Sequence, residues 1–162
     1  MARITNILWP LTFALGSVSA WGLETHCAAE EQVLFACSTG KKVVAVCASA
    51  DVTALQYRFG PPEAPELVWP ADPQPPHNEI TAGTLAFSGG GGAYLRFSRS
   101  VYDYIVYTAI GKDWGEKAGV VVEKSGQQLA HLPCVGAVVS ELGPELFEQA
   151  ELAEDEQGFD LP

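Results

Sequence analysis

Positive charge is scarce in this chain. Nine lysines and arginines stand against twenty aspartates and glutamates, giving a formal net charge of −11. From Glu141 to Pro162 there are eight acids and no base. Such a surface repels a phosphate backbone and an anionic headgroup layer, which argues against nucleic acid and membrane surfaces as partners. Chemistry-bearing motifs are equally sparse. The four cysteines include no CxxC pair, the three histidines (His26, His77, His131) form no HExxH, and no GxSxG elbow is present. The run Gly89–Gly92 is followed by no Lys-Ser or Lys-Thr and leads into a strand-like segment, so it makes no phosphate cradle. A Ser-His-Asp set can be drawn from Ser88, His77 and Asp103, but only because such residues are common. No metal site and no cofactor is implied.

The N-terminus reads as an export signal. Arg3 and the free amino group form a short positive region, Ile7 to Gly16 is apolar, and Ser17-Val18-Ser19-Ala20 offers small residues for cleavage. Cleavage after Ala20 leaves Trp21 at the mature N-terminus. Pro10 and an apolar core of roughly ten residues fall short of the about 20 needed to span a bilayer. No later segment approaches that length, so no membrane span is expected after cleavage. The reading is residues 1–20 as signal peptide, 21–140 as one β-rich domain and 141–162 as an acidic tail, with a periplasmic or secreted location.

Cys27, Cys37, Cys47 and Cys134 all lie in the mature part. An even count in an exported chain predicts two disulfides, and three pairings are open. Spacings of ten, ten and eighty-seven residues fit no zinc pattern. Cys37 and Cys47 flank an expected hairpin about four positions out of register, which disfavours a bond between them.

Strand signals dominate the domain. Val33–Cys37 and Val43–Cys47 are apolar and rich in β-branched residues, with Gly40 in the turn between them. Ala54–Phe59 alternates, placing Leu55, Tyr57 and Phe59 on one face and Gln56 and Arg58 on the other. The stretch from Pro61 to Pro76 holds seven of the eleven prolines and reads as a loop carrying one edge-like run, Glu66–Trp69. Gly83–Phe87 and Ala93–Phe97 form a second hairpin with the glycine run as a flexible tip. Tyr102–Thr108, Gly119–Glu123 and Leu129–Leu132 follow. The fold expected is all-β, a sandwich or barrel of about seven to nine short antiparallel strands. The tail is expected to form a marginal helix opened by Pro144, then disorder toward Pro162.

The run Phe-Ala-Cys-Ser-Thr-Gly-Lys-Lys-Val-Val-Ala-Val-Cys-Ala-Ser from Phe35, with Leu55-Gln-Tyr-Arg-Phe-Gly60 after it, resembles an uncharacterised family of small exported Gram-negative bacterial proteins. The resemblance rests on the two cysteines around a lysine turn, the Tyr-Arg-Phe-Gly strand and a last cysteine like Cys134. It spans Cys27 to Gly136, leaves the acidic tail outside, and implies export while carrying no activity or cofactor.

Arg58, Tyr94, Arg96, Tyr102 and Tyr104 lie on strands, and tyrosine and arginine are favoured at protein interfaces because they bury area and still hydrogen-bond. These five are the expected binding face. The functional expectation is a non-enzymatic module that binds another envelope or secreted protein through exposed strands and the glycine loop, with enzyme inhibition as a narrower form. Two other readings stand beside it, a small hydrolase using His77 or His131 and a structural envelope protein whose tail docks a neighbour.

Overall fold

The computed structural model describes residues 24–162, so the expected signal peptide lies outside the described residues. Two sheets face each other. One runs in the order β10-β1-β2-β3-β4, built from β1 (Gln32–Ser38), β2 (Val43–Ala48), β3 (Leu55–Gly60), β4 (Leu67–Trp69) and β10 (Val135–Ser140). The other runs β11-β5-β6-β7-β8-β9, from β5 (Ile80–Phe87), β6 (Gly90–Arg99), β7 (Tyr102–Gly111), β8 (Gly115–Lys124), β9 (Gln127–Pro133) and β11 (Ala153–Glu154). The all-β sandwich expectation holds.

Period-two patterning explains the core. Leu55 and Tyr57 from β3 and Val44 and Val46 from β2 are buried against Ile80, Leu95, Phe97, Val106 and Val120 of the facing sheet. Phe59 packs at the margin of the same cluster, so the β3 alternation expected from sequence is the one the sandwich uses. Each fully buried large apolar side chain contributes roughly 1.5–3 kcal/mol of transfer free energy. Tyr57 stacks with Tyr104 across the interlayer at 5.4 Å between ring centroids and meets Phe97 in a tilted pair at 5.5 Å.

Three expectations require correction. The glycine run is not a loop. Gly89 alone turns the chain with φ 78°, and Gly90–Gly92 are strand residues paired on both sides, with β5 and with β7. A Cβ on Gly90 would collide with the carbonyl of Ile110, and one on Gly92 with that of Thr108. The neighbouring backbone approaches too closely for any side chain there. Secondly, β10 was not anticipated. It sits at the sheet edge opposite β1, interrupted by Gly136 at φ 80° and a register shift between Cys37 and Ser38, so its alternation is broken. Thirdly, the tail is neither disordered nor helical throughout. It begins with α1 (Pro144–Gln149), whose Pro144 stands in the first turn and whose Leu146 is buried in the core with Ala150. It then pairs β11 in parallel with β5, Ala153 opposite Thr81 and Glu154 opposite Ala82.

The cysteines pair Cys27–Cys47 and Cys37–Cys134. Cys37 faces Val44 and Cys47 faces Val33 in the β1–β2 ladder, four positions apart as expected, so the two do not meet. Cys134 lies where the chain passes from the six-stranded sheet to β10, and its bond to Cys37 fastens that crossing to the core. By loop-closure entropy, a 20-residue separation is worth about 3 kcal/mol and a 97-residue separation about 5 kcal/mol. Replacing Cys37 and Cys134 by alanine is therefore expected to cost more stability in urea unfolding than replacing Cys27 and Cys47. Equal losses would show that loop length does not govern the effect.

Candidate functional site

The outer face of the six-stranded sheet carries the densest polar and aromatic cluster among the described residues. The ladders set its rows. Thr81, Arg96, Ile105, Val121 and His131 stand side by side across β5 to β9, and the next row is Gly83, Tyr94, Tyr107, Gly119 and Pro133. Beyond it lie Leu85, Gly92, Ala109 and Lys117, then Phe87, Gly90, Gly111 and Gly115.

The end of the chain straps the first two rows. Arg96 is only 2% exposed. Its Nε donates to Asp155 Oδ2 at 2.9 Å, Nη1 to Glu123 Oε2 at 2.9 Å, and Nη2 to the Gly158 carbonyl at 2.7 Å, while Asp103 stands 3.7 Å from Nη1. Phe159 lies against Tyr94 and Tyr107 at centroid separations of 5.2 and 5.5 Å. Leu161 packs on the same cluster, with Ile105 and Val121 buried beneath. Lys117 Nζ donates to the Pro162 carbonyl at 3.2 Å. Burial, with the negative charge of Asp155 next in importance, pushes the Tyr94 phenol up to about 12. Burial alone raises Tyr107, whose hydroxyl meets His131 Nε2 at 2.9 Å. His131 is lowered by burial and then by Lys117, which favours the neutral ring. A groove of about 540 Å³ runs between the strap and β5, and a larger cleft of about 850 Å³ borders Tyr107, Lys117, His131 and Pro162.

The strap reaches the third row through Leu85 and Lys117, and the last row lies beyond it. Phe87 and Trp114 form an aromatic pair 5.8 Å apart, 36% and 40% exposed. The indole lies over Gly111 and the phenyl ring over Gly90, where a Cβ would collide with either ring. Lys117 Nζ sits 5.0 Å from the indole centroid, a cation–π contact. The result is an exposed strip of two touching aromatic rings laid on a glycine floor.

The five residues expected as one binding face separate. Arg96 and Tyr94 do share a face, but the chain's own tail covers it. Tyr104 faces the core. Arg58 lies on the other sheet, gripping Glu31 with two contacts of 2.7 Å and also bonding Gln56 and the His26 carbonyl. That ion pair lowers the Glu31 carboxyl. Tyr102 is half-buried with the Lys124 ammonium over its ring. The physical reason is charge: on strands of so acidic a chain, Arg58 and Arg96 find carboxylates of their own, while Arg99 lies over the Trp69 ring. Sequence reasoning missed Phe87, Trp114, Phe159 and Asp155, and the signal for the last two was an aromatic residue among the tail's acids.

The drawn triad does not assemble. Asp103 accepts from Ser98 and faces Arg96, and neither ring nitrogen of His77 finds a partner among the described residues. His26 contacts the Gly60 carbonyl, and no histidine hydrogen-bonds a serine or carboxylate among the described residues. Cys27, Glu31 and Cys47 cluster closely enough for a metal, but their two sulfurs are bonded to each other. No helix among the described residues is long and apolar enough to cross a membrane. No family model, curated protein or solved structure matches this chain.

Two measurements follow from the cluster. Arg96→Met would leave Asp155, Glu123 and Asp103 facing one another with their cation gone, and is expected to cost about 3–5 kcal/mol, as when one partner of a buried ion pair is removed. Asp155→Asn leaves Arg96 its other two carboxylates and should cost only about 1–2 kcal/mol. Equal losses in denaturant unfolding would contradict this asymmetry. Tyr94, Tyr107 and Tyr57 are all raised above 10. A raised folded-state value contributes stability that is complete below the unfolded pKa and lost as pH rises through the folded one. Stability should therefore fall between about pH 10 and 12, and Tyr94→Phe should flatten that decline.

Proposed function

We propose that the protein is an exported, non-enzymatic binding module that docks an extended segment of another envelope or secreted protein on the outer face of its six-stranded sheet. The exposed aromatic pair Phe87 and Trp114 carries the reading. Two exposed aromatic rings already seated on glycine offer an anchor with little side-chain entropy to lose. Two disulfides are compatible with an oxidising, exported location. No cofactor is needed for such a role.

The test is retention on the immobilised mature chain of proteins from an envelope extract and of a panel of cationic lysozymes, which a −11 chain attracts. A saturable partner should be held by the native chain. It should lose at least about tenfold in affinity with Phe87→Ala and Trp114→Ala together, since buried aromatic anchors contribute over 1–2 kcal/mol each. Both rings are partly buried on glycine, so the melting point should fall modestly, and affinity is compared at temperatures where both proteins are folded. Retention unaffected by that pair of substitutions would remove the strip from the binding surface.

A further inference from the structure

The strap closes through a strained hinge. At the end of α1 the Leu152 amide bonds the Phe147 carbonyl and the Glu151 amide bonds the Glu148 carbonyl, the double closure that terminates helices with a left-handed residue. Glycine usually occupies that position. Here it is Glu151, at φ 52°. A side chain there stores conformational strain that an extended hinge would release.

The body can lose the strap without orphaning its buried charge. Glu123 and Asp103 belong to β8 and β7, and both face Arg96 independently of the tail. Departure of Asp155 removes one of three carboxylates around one guanidinium and sends that carboxylate to water. What the strap leaves behind is a groove of Tyr94, Ile105, Tyr107 and Val121 with Arg96 at its end, beside a free β5 edge. The strap's hold on that edge is a two-residue parallel strand. Glu154 and Asp160 flank it and make no ion pair among the described residues.

The occupant that fits this groove is defined by the strap itself: a strand pair for β5, a carboxylate for Arg96, a carbonyl for its second arm, and an aromatic ring between Tyr94 and Tyr107. A second copy carries the same segment. We infer that residues 153–162 exchange between two copies, so that Asp155 and Phe159 of one chain complete the Arg96 and Tyr94–Tyr107 groove of the other. Reciprocal exchange forms a closed twofold dimer with no new contact chemistry, in which the hinge gives up its two closing hydrogen bonds along with the strain at Glu151. It also places two open strips on one assembly, so that a partner with two docking segments would gain avidity.

Residues 81 and 153 face each other in the β5–β11 ladder, and all four native cysteines are in disulfides. Full-length mature Thr81→Cys and Ala153→Cys chains, unfolded, mixed and refolded together under oxidising conditions, supply the direct test. Exchange predicts a covalent dimer whose linked peptides join position 81 of one chain to position 153 of the other, with the native disulfides intact. A chain carrying both substitutions reports the closed form as a cross-linked monomer. Sedimentation of the unsubstituted chain should show a dimer that grows with concentration. Glu151→Gly, which removes the hinge strain, should weaken that dimer by about fivefold or more, while Glu151→Ala should not. The absence of an 81–153 link between chains, with the doubly substituted chain cross-linking normally as a monomer, would overturn the inference. The strip reading is tested by the aromatic substitutions and stands or falls separately.

Discussion

Arg96 is the point at which the separate parts of the outer layer become one. Its guanidinium receives a carboxylate from β7, one from β8 and one from the tail, together with a tail carbonyl. A buried arginine is tolerated only when its donors are satisfied, because desolvating an unpaired cation costs several kcal/mol. Three strands and the last ten residues must therefore hold their registers together. Five donors in a planar fork suit this geometry, and a lysine would serve as only a point charge. With Arg96 fixed, Tyr94 next along β6 is fixed too, and the rings of Tyr107 and Phe159 close over it.

The second constraint is the absence of side chains. Gly83, Gly90 and Gly111 each lie under an aromatic ring, those of Tyr94, Phe87 and Trp114. A glycine in a strand loses backbone entropy and packs nothing, at a cost of roughly 0.5–1 kcal/mol relative to alanine. An aromatic ring laid over the bare backbone recovers buried area and shields the ladder hydrogen bonds from water. The glycine-rich stretch is thus a piece of sheet built for flat rings to rest on. That accounts for both the buried half of the face, where the ring belongs to the tail's docking site, and the open half.

How much of this was legible depended on whether the signal was local. The β3 alternation of Leu55, Tyr57 and Phe59, the Gly40 turn and the four-residue offset of Cys37 from Cys47 are short-range patterns, and they appear as read. The glycine run misled because glycine's local preference is for turns, and only the backbone of Ile110 and Thr108 alongside explains why strand residues there must lack Cβ. β10 escaped because Gly136 and the bulge break its period. Residue type placed Tyr94 and Arg96 on strands, yet whether they are exposed depends on Asp155, fifty-nine residues beyond Arg96. The tail's acidity pointed to solvent, and nothing in its composition said that a single buried cation awaited one of its eight acids.

An acidic tail returning to an acidic body raises the question of what holds it. Charge alone does not suffice, since Arg96 already has two carboxylates from the body and the tail brings further acids with it. The favourable terms are apolar. Phe159 and Leu161 leave water against Tyr94, Tyr107, Ile105 and Val121, worth roughly 1.5–3 kcal/mol for each side chain if fully buried and less in proportion for these half-exposed ones. The Arg96 contacts then select where the segment lies, because a carboxylate and a carbonyl must meet the two arms of one fork. Hydrophobic burial supplies the hold and the ion pair supplies the register. Added salt should for that reason act on Glu154, Glu156 and Asp160 at the rim, relieving their mutual repulsion, and leave the largely desolvated Arg96 cluster nearly untouched.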